Sequence, residues 1–405
     1  MSSLFLNKSL LNAQYFGTLS ITFSGGFCMR ILALITEYNP FHNGHIYHIE
    51  SAKALVNPDV TIAIMSGNFT QRGELAITDK FTRTKACLKH VDLVCELPFL
   101  NAVSFADDFA RGGVHIAGLM GATDLVFGSE SGDIIGLSKA AKESNDLSES
   151  EAFHDLLRAG KSYPRAMDEL SQSDFLSSPN NTLGIAYIKT VEEMGLKIKV
   201  DTTKRTGNHY SDQELSNQAF SSATSIRRTL FNHDIDDAKQ FMPSALVDEI
   251  MSSHLASNED VFTTLKTIIL TKSLSELREI YMMTEGLEYR LKDKIKTSHS
   301  YSDFISQVKT KRYTWTRLSR LMIAILMNIT NKIMEEHRLS NSVRVLGMNK
   351  TGQAHLKLLD EVEIITNVNK NNRSLVSHEV TATEVYNTFT GGTKNDFNTP
   401  VIIES

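Results

Sequence analysis

The sequence predicts an α/β protein: a doubly wound parallel sheet followed by a mainly helical C-terminal region. From residue 29 to about residue 228, short apolar runs alternate with longer stretches of helical pattern, which is typical of a parallel sheet with helices on both faces. Between residues 229 and 340 the only proline is Pro243 and the only glycine is Gly286, so the strongest helix breakers are nearly absent. A hydrophobic content of 41% is enough to build a packed core.

The N-terminal half contains five apolar runs that alternate with helical stretches. The runs predict strands at Ile31–Ile35, Val60–Met65, Val91–Leu97, Asp124–Phe127 and Lys197–Val200. Helices are predicted near residues 44–56, 79–90, 101–119, 132–144 and 180–194. Since a sheet of this kind binds its ligand at the carboxyl ends of the strands, functional residues are expected in the loops there.

The region after residue 228 has a different pattern. Helices are predicted at Ala245–Ser253, Ser273–Tyr281 and Thr316–His337, and short strands at Val343–Leu346, Val362–Thr366 and Val401–Ile403. The rest of the tail from Asn367 is largely polar. We therefore divide the chain into an N-terminal extension (1–28), an α/β domain (29–228) and a mainly helical region (229–405).

Residues 1–28 are interpreted as an extension outside the fold. Lys8 is their only charge, polar residues interrupt their apolar run, and no cleavage site of small residues follows. Met29 opens the first predicted strand and could be an alternative start. An added strand and a weak targeting segment are the competing interpretations.

Charge and cysteine content restrict the classes of function. The formal net charge is -5, so any contact with nucleic acid must come from a local basic patch. Cys28, Cys87 and Cys95 lack the paired spacing of a metal site, and such cysteine usage fits a reducing compartment. No apolar run approaches the ~20 residues of a membrane helix. We expect a cytoplasmic protein with no membrane partner.

One segment carries recognisable chemistry. The first strand runs directly into a turn and then into His42-x-Gly44-His45 at a predicted helix start. Backbone N–H groups and the dipole of a helix N-terminus attract phosphate, and Gly44 lets it approach closely. His42 and His45 can donate hydrogen bonds to phosphoryl oxygens as charge builds in a transition state. The alternative is that both histidines are ordinary loop or core residues, which the position at the first strand-to-helix turn disfavours.

Several strings of the sequence resemble a known family. His42-x-Gly44-His45 is the mark of the HIGH-type nucleotidyltransferases, and the longer string EYNPFHNGHIYH (37–48) is more specific. Further matches are MSGNF (65–69), QRG (71–73), FGSE (127–130), SPNN (178–181), SATSIR (222–227) and KRYTW (311–315). Together they are similar to the bacterial tRNA(Met) cytidine acetate ligase family, with 29–228 as the Rossmann-like nucleotidyltransferase domain.

The resemblance implies a function and a set of contacts. It implies an ATP-dependent ligase that activates acetate as acetyl-adenylate and acetylates N4 of the wobble cytidine of elongator tRNA(Met). His42 and His45 are the implied catalytic residues, Mg²⁺ is a plausible companion of ATP, and no protein metal site is predicted. The implied ATP contacts are Ile35, Thr36, Glu37, Tyr38, Asn39, Pro40, Phe41, Asn43, Gly44, Ile46, Tyr47, His48, Gly128, Asn180 and Arg205.

Three of these contacts have simpler explanations from the residues alone. Asn180 and Asn181 follow a proline at a predicted helix start, where one of them could be only an N-cap. Arg205 could be an exposed, solvated arginine. Gly128 ends the fourth predicted strand at the expected ligand edge, where a glycine also suits a turn.

Two further residues remain open from the sequence. Arg227, in a hydroxyl-rich helix start, could balance the charge of leaving pyrophosphate, or the segment could be a plain capped helix. Glu37 could orient a metal or a histidine, although a strand-end carboxylate is the simpler interpretation.

A basic segment in the C-terminal region predicts an RNA surface. Residues 306–320 contain no acidic residue, and Tyr313 and the only tryptophan, Trp315, are interleaved with the positive charges. Such rings can stack on unpaired bases while cations neutralise phosphates. A solvated helix face with a core tryptophan is the alternative. The basic residues are Lys309, Lys311, Arg312, Arg317 and Arg320, with Arg290, Lys292, Lys294 and Lys296 nearby.

Two other functions share part of this pattern. An adenylyltransferase acting on a small phosphorylated cofactor precursor would use the same histidine motif but not the basic aromatic segment. A non-catalytic RNA-binding module would use the basic segment and bind tRNA without needing the histidines.

Overall fold

The chain is represented by a computed structural model, which describes residues 29–159, 161, 163–171, 175, 178–205 and 220–405. The predicted extension, residues 1–28, lies outside the described residues. The first five strands lie in the predicted order, and the described residues contain more helices than the sequence pattern predicts.

One mostly parallel sheet lies at the centre of the α/β domain. Its order is β5-β4-β1-β2-β3-β6-β7, with β8 beside β6. Strands β1 to β5 run parallel to one another, and β6 pairs antiparallel with β3. The strands are β1 (Ile31–Thr36), β2 (Val60–Ser66), β3 (Leu93–Leu97), β4 (Asp124–Ser129), β5 (Lys199–Lys204), β6 (Ser342–Met348), β7 (Glu363–Ile365) and β8 (Ile402–Ile403).

Helices cover both faces of the sheet and form the region beyond it. Those before residue 229 begin with α1 (Asn43–Val56), α2 (Lys80–Cys87), α3 (Phe99–Ala102), α4 (Ala106–Leu119) and α5 (Ile134–Glu149). They continue with α6 (Glu151–Arg158), α7 (Tyr163–Leu170), α8 (Pro179–Glu193) and α9 (Ala223–Phe231).

The later helices are shorter on average and closely spaced. They are α10 (Ile235–Phe241), α11 (Ser244–Met251), α12 (Phe262–Thr271), α13 (Leu274–Arg278), α14 (Leu287–Thr297), α15 (Tyr301–Val308), α16 (Trp315–Leu326), α17 (Asn331–Glu336), α18 (Lys350–Leu356) and α19 (Ser377–Thr390).

Alternation along the strands divides the core into two layers. On β1, Ile31 and Ala33 pack with α4, α5 and α8, whereas Leu32 and Leu34 pack with α1, α2 and α9 to α11. This period of two, with both sets buried, confirms the predicted doubly wound arrangement. A third core joins α12 to α16 with α3 and α19.

Two predicted helices are each divided in two. The stretch 101–119 breaks between α3 and α4, where the Ser104 hydroxyl donates to Leu100 O at 2.6 Å. The predicted helix at Thr316–His337 ends at Leu326 and resumes at Asn331, with Asn328 in the left-handed region at φ 50°. Local hydroxyl bonds and a left-handed residue end these helices, and neither shows in the hydrophobic period.

The C-terminal strands lie in the same sheet as the first five. Strand β6 occupies the position beside β3, and the polar tail also contains a 14-residue helix, α19, that the sequence pattern did not predict. Four buried charges hold this tail in place. Lys80 Nζ lies 2.8 Å from Glu96 and 3.0 Å from Asp396, which is 3.3 Å from Arg344. The C-terminal segment is therefore tied to the sheet beside the carboxyl end of β3.

No helix in the described ranges is both long and apolar enough to cross a lipid bilayer.

Candidate nucleotide site

The histidine motif lies where β1 ends and α1 begins. His42 is the N-cap of α1, and its Nδ1 accepts from Gly44 N–H at 3.0 Å. His45, three residues on, accepts from His42 N–H at Nδ1 over 3.3 Å. This is a capping box built from two histidines in place of the usual hydroxyl and carboxylate residues. The sequence spacing therefore has a local physical reason before any ligand is considered.

Capping determines which ring nitrogens remain for a ligand. Because an accepting Nδ1 carries no proton, the neutral rings of His42 and His45 carry theirs on Nε2. Neither Nε2 has a hydrogen-bond partner among the described residues. The two rings stack with centroids 3.7 Å apart. The N-terminus of α1 thus presents two adjacent N–H donors, suited to the oxygens of one phosphoryl group.

Burial keeps these histidines neutral. Desolvation, reinforced by the positive charge of Arg205, lowers the pKa of His42 to about 4. The same causes, together with the neighbouring histidines, lower the pKa of His45 well below its usual value. His48, one turn further along α1, also has its pKa lowered to about 4 by burial and then by Arg205. At neutral pH the rings are therefore hydrogen-bond donors rather than cations.

The loop before α1 is anchored by its buried side chains. Tyr38 and Phe41 are 1% and 0% exposed, and their rings meet edge-on at 5.0 Å. Asn39 accepts from Ile77 N–H at 2.8 Å through Oδ1, and its bond to Pro40 is cis. Contacts from these positions to a nucleotide would come from the backbone, because their side chains point into the protein.

Arg83 holds together the strand ends on which this loop rests. Its fully buried guanidinium donates to Glu37 O at 2.7 Å, just after β1, and to Ser66 O at 3.1 Å, at the end of β2. It also donates to the carbonyls of Gly67 and Thr78. Burial lowers the pKa of Arg83. One side chain of α2 therefore satisfies three carbonyls at the carboxyl ends of β1 and β2 and a fourth just before its own helix.

Gly128 gives space to two neighbouring side chains. It lies within β4, not in a turn, and a Cβ there would be 3.2 Å from Arg205 Cγ and 3.6 Å from His48 Cδ2. Arg205 follows β5 directly, and its backbone N–H donates to Ser129 O at 2.9 Å. The Arg205 side chain is exposed, although partial desolvation lowers its pKa, so the solvated arginine of the alternative interpretation stays open.

Glu130 organises the start of α8. Its carboxylate accepts from Asn180 Nδ2 at 2.7 Å and from Asn181 N–H at 3.0 Å. Asn181 Oδ1 in turn accepts from Glu130 N–H at 3.1 Å. Neither asparagine is the N-cap, a position held by Ser178, so capping does not explain them. Asn180 Oδ1 has no hydrogen-bond partner among the described residues and remains available as an acceptor.

The other side of the motif is formed by a hairpin-like loop after β2. Phe69 and Leu75 form an antiparallel bridge within it. Gln71 N–H donates to Glu37 Oε1, so Glu37 is tied to this loop and is a strand-end carboxylate, as in the simpler interpretation. Desolvation raises the pKa of Glu37, opposed by that hydrogen bond.

Arg227 closes the loop from the side of α9. It donates to Asn39 O at 2.9 Å and pairs with Glu74 at 3.2 Å. Its helix also has an ordinary cap, in which Ser222 accepts from Ser225 N–H at 3.1 Å. The segment is therefore a capped helix, as in one interpretation from the sequence. Its Arg227 also lies beside the histidine motif, as the other interpretation requires.

The remaining predicted contacts are distributed around the motif. Ile35 packs beneath Gly113, Thr36 ends β1, and Ile46 packs on the core. Asn43 Nδ2 donates to Gln240 O at 3.0 Å, and Tyr47 is 40% exposed.

No group of three or more histidine, cysteine or acidic side chains in the described part of the chain is arranged to hold a metal ion.

The structure divides the basic segment into an outward and an inward part. Lys309, Lys311 and Arg312 are exposed, and Trp315 is 37% exposed, so it is not the core tryptophan of the alternative interpretation. Tyr313 was expected to stack on bases but is only 7% exposed, because it packs in the helical core.

Several arginines and lysines of this region do not face outward as expected. Arg320 turns inward, with Nε donating to Gln71 O at 2.5 Å. Arg290 donates to the last carbonyls of α15 at 2.8 and 2.7 Å. Lys292 donates to Leu270 O at 3.0 Å. Unpaired backbone carbonyls nearby account for this, since buried carbonyls require donors.

Sequence reasoning missed Arg83 and Glu130 as organisers of the site. FGSE was among the matching strings, but nothing in the pattern showed that its glutamate reaches Asn180, 50 residues further on. Arg83 has no local signal, since its helix reads as an ordinary polar one.

This fold and this histidine-capped helix are those of a HIGH-type nucleotidyltransferase. The family model described as HIGH Nucleotidyl Transferase matches residues 29–399. A "tRNA(Met) cytidine acetate ligase" of Staphylococcus saprophyticus is 43% identical over 92% of this chain and 100% of its own length. One of Staphylococcus carnosus is 43% identical over 92% of this chain and 98% of its own. The chain belongs to the tRNA(Met) cytidine acetate ligase family, which confirms the resemblance.

Solved structures agree with this assignment. Thermotoga maritima TmcAL, in a crystal structure without ligand, superposes with a TM-score of 0.84 at 32% identity, covering 93% of this chain and 99% of that chain. The same protein bound with alpha-thio ATP superposes with a TM-score of 0.82 at 31% identity and the same coverage.

Proposed function

We propose that the chain is an ATP-dependent ligase that forms N4-acetylcytidine at the wobble position of elongator tRNA(Met). The observation that carries the proposal is the pair of Nε2–H donors of His42 and His45 at the N-terminus of α1, in a chain of this family. Such donors stabilise charge at a phosphoryl group without becoming covalently attached to it. A tRNA substrate places the enzyme in the cytoplasm.

The first step activates acetate. An acetate oxygen attacks the α-phosphorus of ATP, the bond from that phosphorus to the bridging oxygen breaks, and pyrophosphate leaves with the bonding electrons. The Nε2–H groups of His42 and His45 and the helix dipole stabilise the negative charge that accumulates on the α-phosphoryl oxygens. The products are acetyl-adenylate and pyrophosphate.

The second step transfers the acetyl group. The N4 amine of the cytidine attacks the acetyl carbonyl carbon, the carbon–oxygen bond to the phosphate breaks, and AMP leaves. The amine loses one proton to solvent, so the products are N4-acetylcytidine, AMP and a proton. Since acetyl-adenylate hydrolyses in water, we expect the bound tRNA to shield it.

The adenosine half of ATP is assigned to the β4 and β5 side of the site. Asn180 Oδ1 is a free acceptor among the described residues and is fixed in position by Glu130, which suits the amino group of a base. Arg205 contributes an exposed positive charge close enough to His42 to lower the pKa of that ring, which suits phosphate. The absence of a Cβ at Gly128 leaves space for that arginine.

Mg²⁺ would reach the site with the phosphates of ATP rather than through a protein metal centre. The described residues form no group that could hold a metal by themselves, and Mg²⁺ is commonly bound by substrate phosphates with few protein ligands. When bound it would neutralise charge on the leaving pyrophosphate.

The tRNA is assigned to the outward part of the basic segment: Lys309, Lys311, Arg312, Trp315 and Arg317. Arg312 and Arg317 lie over the Tyr313 ring, with guanidinium carbons 5.6 and 5.2 Å from its centroid. Arg312 is exposed and Arg317 is half-buried with its Nε shielded from solvent, so Arg312 offers the more accessible charge to RNA phosphates. Trp315 is the exposed ring that can stack on an unpaired base.

The deciding experiment is incubation with ATP, radiolabelled acetate and total bacterial tRNA, followed by nucleoside analysis. We expect ATP-dependent label in N4-acetylcytidine, lost in His45→Ala and retained in His154→Ala, which changes an exposed histidine of α6. Acetate-dependent pyrophosphate release without labelled tRNA would contradict the assigned acceptor. The absence of both labelled tRNA and pyrophosphate release would contradict the ligase. That result would favour the cofactor adenylyltransferase or the RNA-binding module.

A further inference from the structure

The carboxyl edge of the sheet has one half without an assigned ligand. Strands β4 and β5 lie on one side of β1, and the groups assigned to adenosine follow them. On the other side of β1 lies β2, and the loop after it, residues 67–78, packs against α16 of the helical region. Because a doubly wound sheet places its two substrates on either side of the point where strand order reverses, the β2 side is the place for a second substrate.

Arg320 of α16 reaches into this second half. Its Nε donates to Gln71 O, and Gln71 N–H in turn donates to Glu37 just after β1. A turn at Gly73, φ 73°, lets the loop come so close that a Cβ there would lie 2.3 Å from Arg320 N. The guanidinium is therefore held beside the end of β1 by a short chain of hydrogen bonds.

The charge of Arg320 lacks a direct counterion. Among the described residues it forms no ion pair, although the Glu37 and Tyr281 side chains lie near enough to influence it. Arg320 is half-buried, and burial lowers its pKa to about 10, so the group is still protonated at neutral pH. A half-buried guanidinium with N–H groups to spare can receive an anion, and its planar fork matches a carboxylate.

An apolar surface lies directly beside this cation. The Arg320 guanidinium carbon is 5.4 Å from the centroid of the Phe105 ring, which is 38% exposed at the start of α4. Tyr281 meets that ring edge-on at 6.4 Å and is fixed by its hydroxyl bond to Asp108 at 3.2 Å. A ligand with a carboxylate at one end and a small apolar group at the other matches the Arg320 guanidinium and the Phe105 ring.

Unsatisfied polar atoms lie at the end of the neighbouring strand. Ser66 Oγ and Asn68 Nδ2 are buried and have no hydrogen-bond partner among the described residues. Such atoms normally find a ligand or a water, because leaving them unpaired is unfavourable. Ser66 is the last residue of β2 and Asn68 comes two residues later, at the carboxyl end that faces the unassigned half.

We propose that Arg320 and Phe105 form the acetate subsite, with the carboxylate on the Arg320 guanidinium and the methyl group against the Phe105 ring. This inference rests on the proposed ligase function and names the side chains that select its acid. It also places the acetate-binding arginine on the same helix, α16, as the proposed tRNA-binding residues Trp315 and Arg317. Arg317 and Arg320 are three residues apart and so neighbours on one face of the helix, which brings the proposed tRNA surface next to the acid subsite.

The test is acetate-dependent exchange of labelled pyrophosphate into ATP, with the full chain and without tRNA. Arg320→Ala should raise the KM for acetate by about tenfold to a hundredfold, as expected for the loss of a charged hydrogen bond, and leave the KM for ATP within about twofold. The KM of Arg320→Lys for acetate should lie between those of the unmutated protein and Arg320→Ala, because lysine keeps the charge and lacks the planar pair of N–H donors. Arg373→Ala is the matched control, since that exposed arginine also lies over an aromatic ring, Phe397, at 5.6 Å.

A second variant tests the apolar half of the subsite and keeps the proposal falsifiable if Arg320→Ala fails to fold. Phe105→Ala removes a partly exposed ring and should raise the kcat/KM for propionate relative to acetate by about tenfold, as one methylene in an apolar pocket allows. An unchanged acid preference, or an unchanged acetate KM in Arg320→Ala, would overturn the subsite.

Two further outcomes separate the possible failures. A parallel rise in the KM for ATP would overturn the subsite and assign Arg320 to the triphosphate. An absence of acetate-dependent exchange in the unmutated protein would refute the proposed function itself, whereas normal exchange with unaffected variants would refute only the subsite.

Discussion

Single hydrogen bonds determine the chemistry of the two motif histidines. Each uses Nδ1 to cap the helix that it begins, which leaves Nε2–H as the group presented to a ligand. Their low pKa values make them neutral donors at neutral pH. Neither ring would therefore leave an unpaired positive charge in the site when ATP is absent. The capping bonds stabilise the helix and fix the Nε2–H groups that the proposed complex would present to phosphate.

Gly44→Ala should impair ATP use without unfolding the domain. The added Cβ would lie 2.9 Å from His42 Cε1 and 3.0 Å from Nδ1, so the ring must shift and its capping bond must break. We expect kcat/KM for ATP in the exchange assay to fall on the order of 100-fold, since a shift of about 1 Å in a catalytic group has that effect.

A double-mutant comparison shows whether the effect passes through His42. If it does, Gly44→Ala combined with His42→Ala should lose no more activity than His42→Ala alone. Normal ATP kinetics in Gly44→Ala would contradict the prediction, and thermal unfolding checks that the fold is retained.

Stability should fall with acidity because His42 and His48 are buried in their neutral form. Their folded pKa is about 4 against an ordinary 6.5, so between these values the unfolded chain binds more protons than the folded one. The contribution of both groups is constant above about pH 6.5 and is lost as pH falls from 6.5 to 4.

Urea unfolding at a series of pH values measures this dependence. Carboxylates also titrate toward the lower end, so the measurement compares the unmutated protein with His48→Gln, whose free energy of unfolding should depend less steeply on pH within that window. Parallel pH profiles for the two proteins would show that His48 is not buried neutral.

At the scale of elements, the site depends on three secondary-structure ends that meet. Strands β1 and β2 end side by side, α1 begins above them, and α2 supplies Arg83 from below. Parallel strands leave carbonyls at their carboxyl ends without partners, and a buried guanidinium supplies several donors in one plane. The position of the motif loop thus follows from how these ends are satisfied.

Arg83→Ala should destabilise the domain strongly. It removes donors to four carbonyls and leaves a cavity, so we expect the free energy of unfolding to fall by about 3 kcal/mol or more. Denaturant unfolding monitored by circular dichroism provides the measurement. Lys85→Ala on the same helix is the control, because its exposed pair with Glu249 should contribute at most about 1 kcal/mol. Equal losses in the two variants would contradict the role given to Arg83.

At the scale of the whole molecule, the C-terminal region is bound to the sheet domain through β6, the buried charges around Asp396 and the packing of α16. These contacts bring α16, whose first residue Trp315 is exposed, against the loop next to the histidine motif. A tRNA held at the start of α16 would therefore be close to the proposed site of adenylation, although the protein as a whole is acidic.

Replacing Lys311, Arg312 and Arg317 together by alanine should weaken tRNA binding and flatten its salt dependence. For every RNA phosphate that is no longer neutralised, the slope of log K against log salt concentration should decrease by about 0.7 to 0.9. Filter binding over a range of potassium chloride concentrations gives that slope. The control replaces Lys139, Lys142 and Arg158, which are exposed on α5 and α6 and carry the same total charge. If both triple variants bind alike, the outward basic residues are only a solvated surface.

Local patterns in the chain were sufficient to predict the first five strands, the fold class and the position of the histidine motif, whereas several helices, α19 among them, were not predicted. Each depends on signals within a few residues: alternation or helical period, and a His-x-Gly-His spacing in which cap and capped groups are neighbours. Asn180 and Arg205 were selected through the family resemblance rather than through any pattern that shows where their side chains lie, and their contacts with ATP stay predictions.

Folding, by contrast, settles which side chains hold the site together and which face solvent. Arg320 and Gln71 are separated by 249 positions, and Asp396 and Lys80 by 316, yet each pair forms a hydrogen bond. Whether a basic or aromatic residue turns inward depends on unpaired carbonyls or apolar surface supplied by distant segments, as with Arg320, Arg290 and Tyr313. Those partners exist only once the chain has folded, so no local pattern encodes them.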